Sequence, residues 1–264
     1  MRVGVITGTG TYALSELDEG EPHEITTPHG AARVTRGAAH GVEVVHLSRH
    51  GEGHPRLSNH VDHRANIAAL AELGVDAVLS VTVCGAVDPG VELGSVIVFD
   101  DLHFASNRLP DGTLCTFHTQ PGAPERGHWI FEEPFAGELR PALVAGAAEA
   151  GHAHRSGGCY GHVDGPRFNS RSEIRGLAAC GVTAVSQTAA PEAVLCGEAE
   201  IPFALAGYAT DYANGVSEEA TPVEELLRLI ERSRGVFSST LAAALARLEE
   251  RPPAPTGVVY RFEG

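Results

Sequence analysis

Positive charge is scarce in this chain. Of 264 residues, 19 are Lys or Arg and 34 are Asp or Glu, which leaves a formal net charge of -15. That balance opposes general binding to DNA, RNA or anionic membranes. It does not forbid one small anion in a locally basic pocket. Cysteine is sparse too. The five (Cys84, Cys115, Cys159, Cys180 and Cys196) lie far apart, are odd in number and form no C-x-x-C. A disulfide framework or zinc site is therefore not expected, and a reducing cytoplasm is. No apolar run approaches the roughly 18 residues of a membrane span. The opening "MRVGVITGTG" has too few positive charges and too short an apolar run for a signal peptide. The 14 histidines include no H-E-x-x-H or comparable metal spacing, so no metal site is expected. There is no internal repeat and no interdomain linker.

What is present reads as α/β. Val3–Thr7 is a short buried strand, and Ala32–Thr35 and Val42–Leu47 form a hairpin pair around "AAHG". His60–Leu73 is helical, with Gly74 as its C-cap. Val75–Val83 is a continuous apolar strand, the pattern of a sheet buried on both faces. "GSVIVFDD" supplies another strand. Asn107–Phe135 reads as a long loop, a feature that often carries function. Glu138–Ala150 is a helix with Pro141 in its first turn. Ser170 and Glu173 have capping-box spacing and start the next helix. "VTAVSQ" is a strand, "APEAVLCGEAE" a helix and "PFALAGYAT" a strand. Thr221 as N-cap, Pro222 at N1 and Glu224 at N3 open a long helix to about Glu250. The expectation is one α/β domain with a mixed sheet over residues 1–250, and a tail over 251–264 that reads as a disordered end.

The turn after the first strand satisfies G-x-G-x-x-A with Gly8, Gly10 and Ala13. A dinucleotide loop must feed directly into a helix whose N-terminus faces the pyrophosphate. Here "LSELDEGEPHEITTP" leaves room for two turns at most. A tight turn and a small anion nest, with Thr9 and loop N–H groups holding one phosphate, are the better readings. "LSRHGEGH" sets Arg49, His50 and His54 just past a strand end. Arginine presents a planar fork of donors suited to phosphate, and a neighbouring histidine can donate through a ring nitrogen. Thr82 ends a buried strand before Gly85, as a satisfied strand hydroxyl or a further phosphate ligand. Asp211 ends "PFALAGYATD". A carboxylate there needs partners, because burying it alone is costly. It reads as a cap or ion-paired loop residue, or as a carboxyl with a shifted pKa placed against substrate. Phe168 precedes a capped helix and could pack in the core or stack on a flat heterocycle.

These pieces occur in order in a known family. On "GVITGTG", "LSRHGEGH", "RANIAALAELGV", "VTVCGAVDPG", "HVDGPRFNSRSE", "TAAPEAVL" and "ATDY", the sequence from Val3 to about Leu245 resembles the trimeric nucleoside phosphorylases. Within them it resembles the S-methyl-5'-thioadenosine phosphorylases. The resemblance implies a single domain around a distorted, barrel-like mixed sheet flanked by helices, a homotrimer, and neither metal nor nucleotide cofactor, with inorganic phosphate as co-substrate. It implies a phosphate site of Thr9, Arg49, His50, Thr82, the Val83 backbone and Thr188. Phe168 would stack near base and sugar, and Asp211 would contact N7 of the purine. His128 would reach the 5' end of the substrate in a neighbouring subunit, and Val223, Leu226 and Leu227 would form an apolar 5' pocket.

Three positions depart from the family pattern. Asp211-Tyr212-Ala213 stands where adenine-specific members have Asp-x-Asp, with Asn169 or Asn214 as substitutes for the missing carboxylate. Gln187 stands where relatives have Met beneath the ribose, and a longer polar group there could touch a sugar hydroxyl. "TGTG" stands where relatives often show "GGTG" or "GGSG". The leading expectation is phosphorolysis of S-methyl-5'-thioadenosine in cytoplasmic purine and methionine salvage. The alternatives are S-methyl-5'-thioinosine, inosine or another 5'-modified nucleoside, a catalytically silent nucleoside-binding protein, and an NAD-dependent enzyme.

Overall fold

The computed structural model describes residues 1–11, 20–123 and 125–262. The short helical continuation expected after the first glycine turn, and Ala13 of the fingerprint, lie outside them.

Four of the central strands are the continuous apolar runs of the sequence. They are β1 (Arg2–Thr7), β4 (Val42–Ser48), β5 (Ala77–Ala86) and β12 (Phe203–Tyr212), and all run parallel. Their side chains alternate between two hydrophobic cores, as strand geometry requires. Val3, Val5, Leu79, Val81, Ala204 and Ala206 face one core. Ile6, Leu47, Val78, Phe203 and Leu205 face the other. The first core is closed by α2 (Arg140–Glu149) and α5 (Val223–Leu245), the second by α1 (His63–Glu72) and α4 (Ala189–Glu198). The chain thus has helices on both faces of one mixed sheet of eleven strands.

The sheet branches at β5. One edge pairs with β12 along its whole length. The other edge pairs first with β1, up to Ser80, and then with β11 (Val182–Ser186) at Gly85 and Ala86, antiparallel. Residues 81–84 lie between these two partners on that edge. The sheet continues outward on one side through β4 to β3 (Gly30–Ala39) and β2 (Glu21–Thr27). On the other side it continues through β10 (Cys159–His162) to β7 (Asp101–His103). β6 (Val96–Val98) and β9 (His154–Ser156) extend it beyond β12. Ligand sites in α/β sheets form outside the carboxyl ends of strands where neighbours diverge, and the branch at β5 creates that place.

Several expected boundaries move. The segment 58–60 is a 3-10 turn and α1 starts at His63, not His60. α5 starts at Val223, with Pro222 rather than Thr221 at its N-cap, and ends at Leu245. The Thr221 hydroxyl accepts a bond from the Tyr212 N–H at 3.0 Å and ties the helix start to the end of β12. The expected loop 107–135 contains β8 (Gly127–Ile130), which pairs antiparallel with β13 (Val258–Arg261) from the C-terminal segment. The tail is therefore ordered at this point rather than a free end. The Trp129 Nε1–H also donates to the Thr256 carbonyl at 2.7 Å. α3 (Arg171–Ala179) begins at Ser170 with both halves of the expected capping box in place.

Candidate active site

A cavity opens at the carboxyl ends of β1, β4, β5, β11 and β12. Its lining includes Thr9, His50, Thr82, Val83, Phe168, Asn169, Gln187, Thr188, Asp211 and Leu226, ten of the residues singled out from the sequence. Residues more than two hundred positions apart meet there, most of them at or just past strand ends of the branched sheet. Thr82 does not end its strand as expected, since β5 runs on to Ala86, and Leu226 comes from α5.

One side of the cavity is rich in hydroxyl and imidazole groups. Thr9 follows β1 within the turn Gly8-Thr9-Gly10, which the Thr11 N–H closes onto the Gly8 carbonyl at 3.0 Å. Thr82 Oγ1 lies 3.0 Å from Ser186 Oγ, and thus bridges β5 to β11 across the branch. Thr188 precedes α4, whose first N–H, that of Ala189, donates to the Tyr160 hydroxyl at 3.1 Å. The His50 ring stacks on His54 at 4.1 Å and 15°. His50 Nδ1 lies 2.8 Å from the Arg56 carbonyl. A carbonyl only accepts, so Nδ1 carries the proton. Burial, aided by the Arg49 charge, holds this imidazole down at about 3, hence neutral with Nε2 as an acceptor. The ring donor expected from the sequence is turned to the protein.

Arg49 does not line the cavity itself. It sits behind the wall, its side chain 1% exposed and paired with an equally buried Glu192. Nε and Nη2 donate to the two Glu192 oxygens at 2.5 and 2.9 Å. Nη2 also donates to Ser80 Oγ at 2.7 Å, and Nη1 to the Val81 carbonyl at 2.8 Å. Ser80 in turn donates to Glu192 at 2.8 Å. The guanidinium thus fills the gap where β5 leaves β1, and a single N–H, on Nη1, has no partner among these groups. Nη1 packs on Gly8 so closely that a Cβ at that position would overlap it. Glycine is required there by this approach, not by the turn alone. Neither Glu192 nor Ser80 was visible as a site residue, since the contact order is 143 and 31 residues.

The opposite side of the cavity holds the buried carboxyl. A register shift between Ala209 and Asp211 leaves Thr210 as an extra residue against Cys84 and Gly85. Such a bulge re-aims the following side chain. Asp211 is 9% exposed, and Thr210 Oγ1 donates to its Oδ1 at 2.8 Å. Burial pushes its pKa up, with the Thr210 bond acting weakly against it. Around it the wall is hydrocarbon. Ala213 is buried with Val87, Ile174, Val182 and Val185. Asn214 Nδ2 donates to the Asn169 carbonyl at 2.7 Å. Leu226 and Ile230, one helical turn apart on α5, close the lining.

Besides Arg49, three candidates lie outside this lining. Val223 and Leu227 are 69% and 59% exposed on the first turns of α5, flanking Leu226. His128 sits on β8, its ring edge-on to Phe262 at 5.5 Å. Phe168 lines the cavity and yet is 62% exposed, so it forms a mouth rather than core.

The family model described as the phosphorylase superfamily matches residues 2–246. A probable 6-oxopurine nucleoside phosphorylase of Thermococcus kodakarensis is 33% identical over 96% of this chain and 95% of its own. An S-methyl-5'-thioadenosine phosphorylase of Geobacter sulfurreducens is 30% identical over 98% of this chain and 90% of its own. Among solved structures, methylthioadenosine phosphorylase from Schistosoma mansoni in complex with adenine superimposes with a TM-score of 0.83. It is 26% identical, covering 93% of this chain and 91% of that one.

Proposed function

The chain belongs to the phosphorylase superfamily, and from that premise we propose that it cleaves purine nucleosides by phosphorolysis, releasing the free base and a pentose 1-phosphate. The observation that carries the proposal is the shared cavity. Hydroxyl and imidazole groups from β5 and from the ends of three other strands stand on one side, and a buried carboxyl with a raised pKa stands on the other.

Breaking the bond between C1' and N9 passes through a cationic, oxocarbenium-like sugar. Inorganic phosphate held by Thr9, Thr82, the Val83 backbone and Thr188 is both nucleophile and counter-charge, and Arg49 braces β5 behind that wall. The neutral His50 Nε2 accepts a hydrogen bond from a protonated oxygen of that phosphate. The departing purine gathers negative charge. Asp211, whose pKa burial pushes up, donates to N7 from its protonated form and relieves it, an effect of roughly 10²–10⁴-fold for positioned acids. Phe168 offers a flat face to base and sugar. Leu226, with Val223 and Leu227 beside it, supports an apolar subsite for a 5' methylthio group. The reaction takes inorganic phosphate as second substrate and uses no nucleotide cofactor or metal. The working unit is a homotrimer in which His128 reaches a neighbouring cavity, acting in cytoplasmic purine and methionine salvage.

The leading substrate is S-methyl-5'-thioadenosine. A second reading, a 6-oxopurine nucleoside such as S-methyl-5'-thioinosine or inosine, is favoured by one observation. Ala213 presents hydrocarbon where a second carboxylate would receive a 6-amino group. A panel of nucleosides crossing 6-amino with 6-oxo bases, and 5'-methylthio with 5'-hydroxyl sugars, tests both readings by kcat/KM in phosphate buffer. The leading reading predicts the highest value for the 6-amino, 5'-methylthio member. A hypoxanthine-releasing member ahead of it selects the second, and no cleavage of any member refutes both.

A further inference from the structure

Two loops flank the cavity from different parts of the chain. Residues 49–62 carry the stacked His50 and His54, and residues 163–170 carry Phe168 and Asn169. Among the described residues, the hydrogen bonds joining these loops run through one side chain, that of Gln187 at the end of β11. Ser58 Oγ donates to Gln187 Oε1 at 2.8 Å. Gln187 Nε2 donates to the Arg167 carbonyl at 3.1 Å. The amide orientation is fixed by chemistry, because a carbonyl can only accept, so the nitrogen faces Arg167 and the oxygen faces Ser58.

The bridge is built into the backbone as well. Gly165 passes so close above it that a Cβ there would overlap both Gln187 Oε1 and Ser58 Oγ. Each loop is also braced independently of the bridge. His50 is fixed to the Arg56 carbonyl at 2.8 Å. Arg167 forks onto Glu173 at 2.7 and 2.9 Å, and Asn214 holds the Asn169 carbonyl at 2.7 Å. Two braced loops are thus joined through one amide. Gln187 lines the cavity with one N–H and one lone pair to spare. The bridge nevertheless engages both ends of the amide, so its first role differs from the sugar contact expected of a polar residue there.

We propose that Gln187 is a positioning residue that couples the two halves of the cavity. An oxyanion seated beside His50 sets the 49–62 loop. Through Ser58, Gln187 and the Arg167 carbonyl it sets the Phe168 wall that receives the nucleoside. Coupling of this kind is reciprocal, each ligand tightening the other by the same factor. The identity of the two ligands rests on the phosphorolysis reading above.

The test uses the intact protein and a purine C-nucleoside, whose carbon–carbon glycosidic bond does not undergo phosphorolysis. Its Kd is measured by calorimetry with and without saturating inorganic phosphate. In the wild type, phosphate tightens the nucleoside by about tenfold, within the usual span of coupling between sites. Gln187→Leu removes both hydrogen bonds at similar volume. It brings that ratio to within about twofold of unity, while phosphate alone binds within about threefold of wild type. Gly165→Ala displaces the bridge without touching the amide and gives the same loss of ratio. If that variant does not fold, Ser58→Ala takes its place. Absence of a phosphate effect in the wild type, or a ratio unchanged in Gln187→Leu, overturns the coupling. A parallel assay with a cleavable nucleoside separates the two ideas. Phosphate-dependent cleavage with an unaltered ratio in Gln187→Leu removes only the coupling, whereas no cleavage by the wild type removes the phosphorolysis reading and the coupling with it.

Discussion

Arg49 and Glu192 show how a single pair organises the site. Two charges taken fully out of water are tolerated only when their lone pairs and protons are satisfied, and removing one partner of such a pair costs about 3–5 kcal/mol. Here Ser80 and the Val81 carbonyl complete the set. Glu192→Gln is expected to lower unfolding free energy in that range and to raise KM for phosphate more than KM for nucleoside, as read by denaturant titration and two-substrate kinetics. Asp211 shows the opposite trade. Its folded pKa is raised, so the folded state holds its proton to higher pH than the unfolded chain does. The stability it contributes is present in acid and is lost as pH climbs from 3.8 through the folded value. Asp211→Asn is therefore expected to be more stable than wild type at neutral pH while kcat/KM falls by roughly 10²–10⁴-fold. A variant that loses stability, or keeps activity, contradicts that assignment. Arg49, His50 and Asp211 were legible in the sequence because polar residues at the ends of apolar strands stand out. Glu192 was not, since a lone acid in a helical stretch has no local sign of an ion partner across the fold. Strand parity also misplaces Asp211, because the bulge at Thr210 cannot be read from alternation.

At the scale of elements, the strands and helices that bury one face were readable, and those held by distant partners were not. β1, β5 and β12 announced themselves as apolar runs, and α3 by Ser170 and Glu173. Both capping-box bonds are present, at 2.7 and 3.3 Å. Ser170→Ala is expected to cost about 1 kcal/mol. In a domain of this size that is a fall in Tm of about 2–4 °C, checked by thermal melting. Because α3 starts just after Phe168, the same variant is expected to raise KM for nucleoside while leaving KM for phosphate in place. β8 and β13 were missed. Each is four residues long, and they pair across 128 or more positions, so neither carries a local signature. The boundary of α5 moved for a related reason. The Thr221 hydroxyl satisfies a strand N–H instead of a helix N–H, and which of the two it serves depends on tertiary placement.

The whole molecule carries a load of buried neutral histidine. Burial holds His46 at about 4 and His50, His63 and His162 at about 3. Among the described residues, neither ring nitrogen of His63 has a hydrogen-bond partner, so a charge there would be unsupported. The unfolded chain takes up these protons near 6.5, well before the folded one does. Stability contributed by these groups is thus present above 6.5 and is lost as pH falls toward 3, by roughly 1.4 kcal/mol per pH unit for each histidine. Denaturant midpoints measured between pH 8 and 4 are expected to drop steeply below about 6.5. A midpoint independent of pH across that window would contradict the burial described. The mixed sheet with helices on both faces was legible as a class. The branching of β5 was not, because one strand edge served by two partners in succession leaves no trace in a linear pattern. That branch makes the cavity, and the account stands on the cavity joining an oxyanion to a purine nucleoside. Phosphorus NMR tests this most directly, following wild-type protein with inorganic phosphate and S-methyl-5'-thioadenosine or inosine. Phosphorolysis gives a new phosphate-ester resonance of a pentose 1-phosphate growing in step with free base. Free base appearing without that resonance, or no base at all, would contradict it.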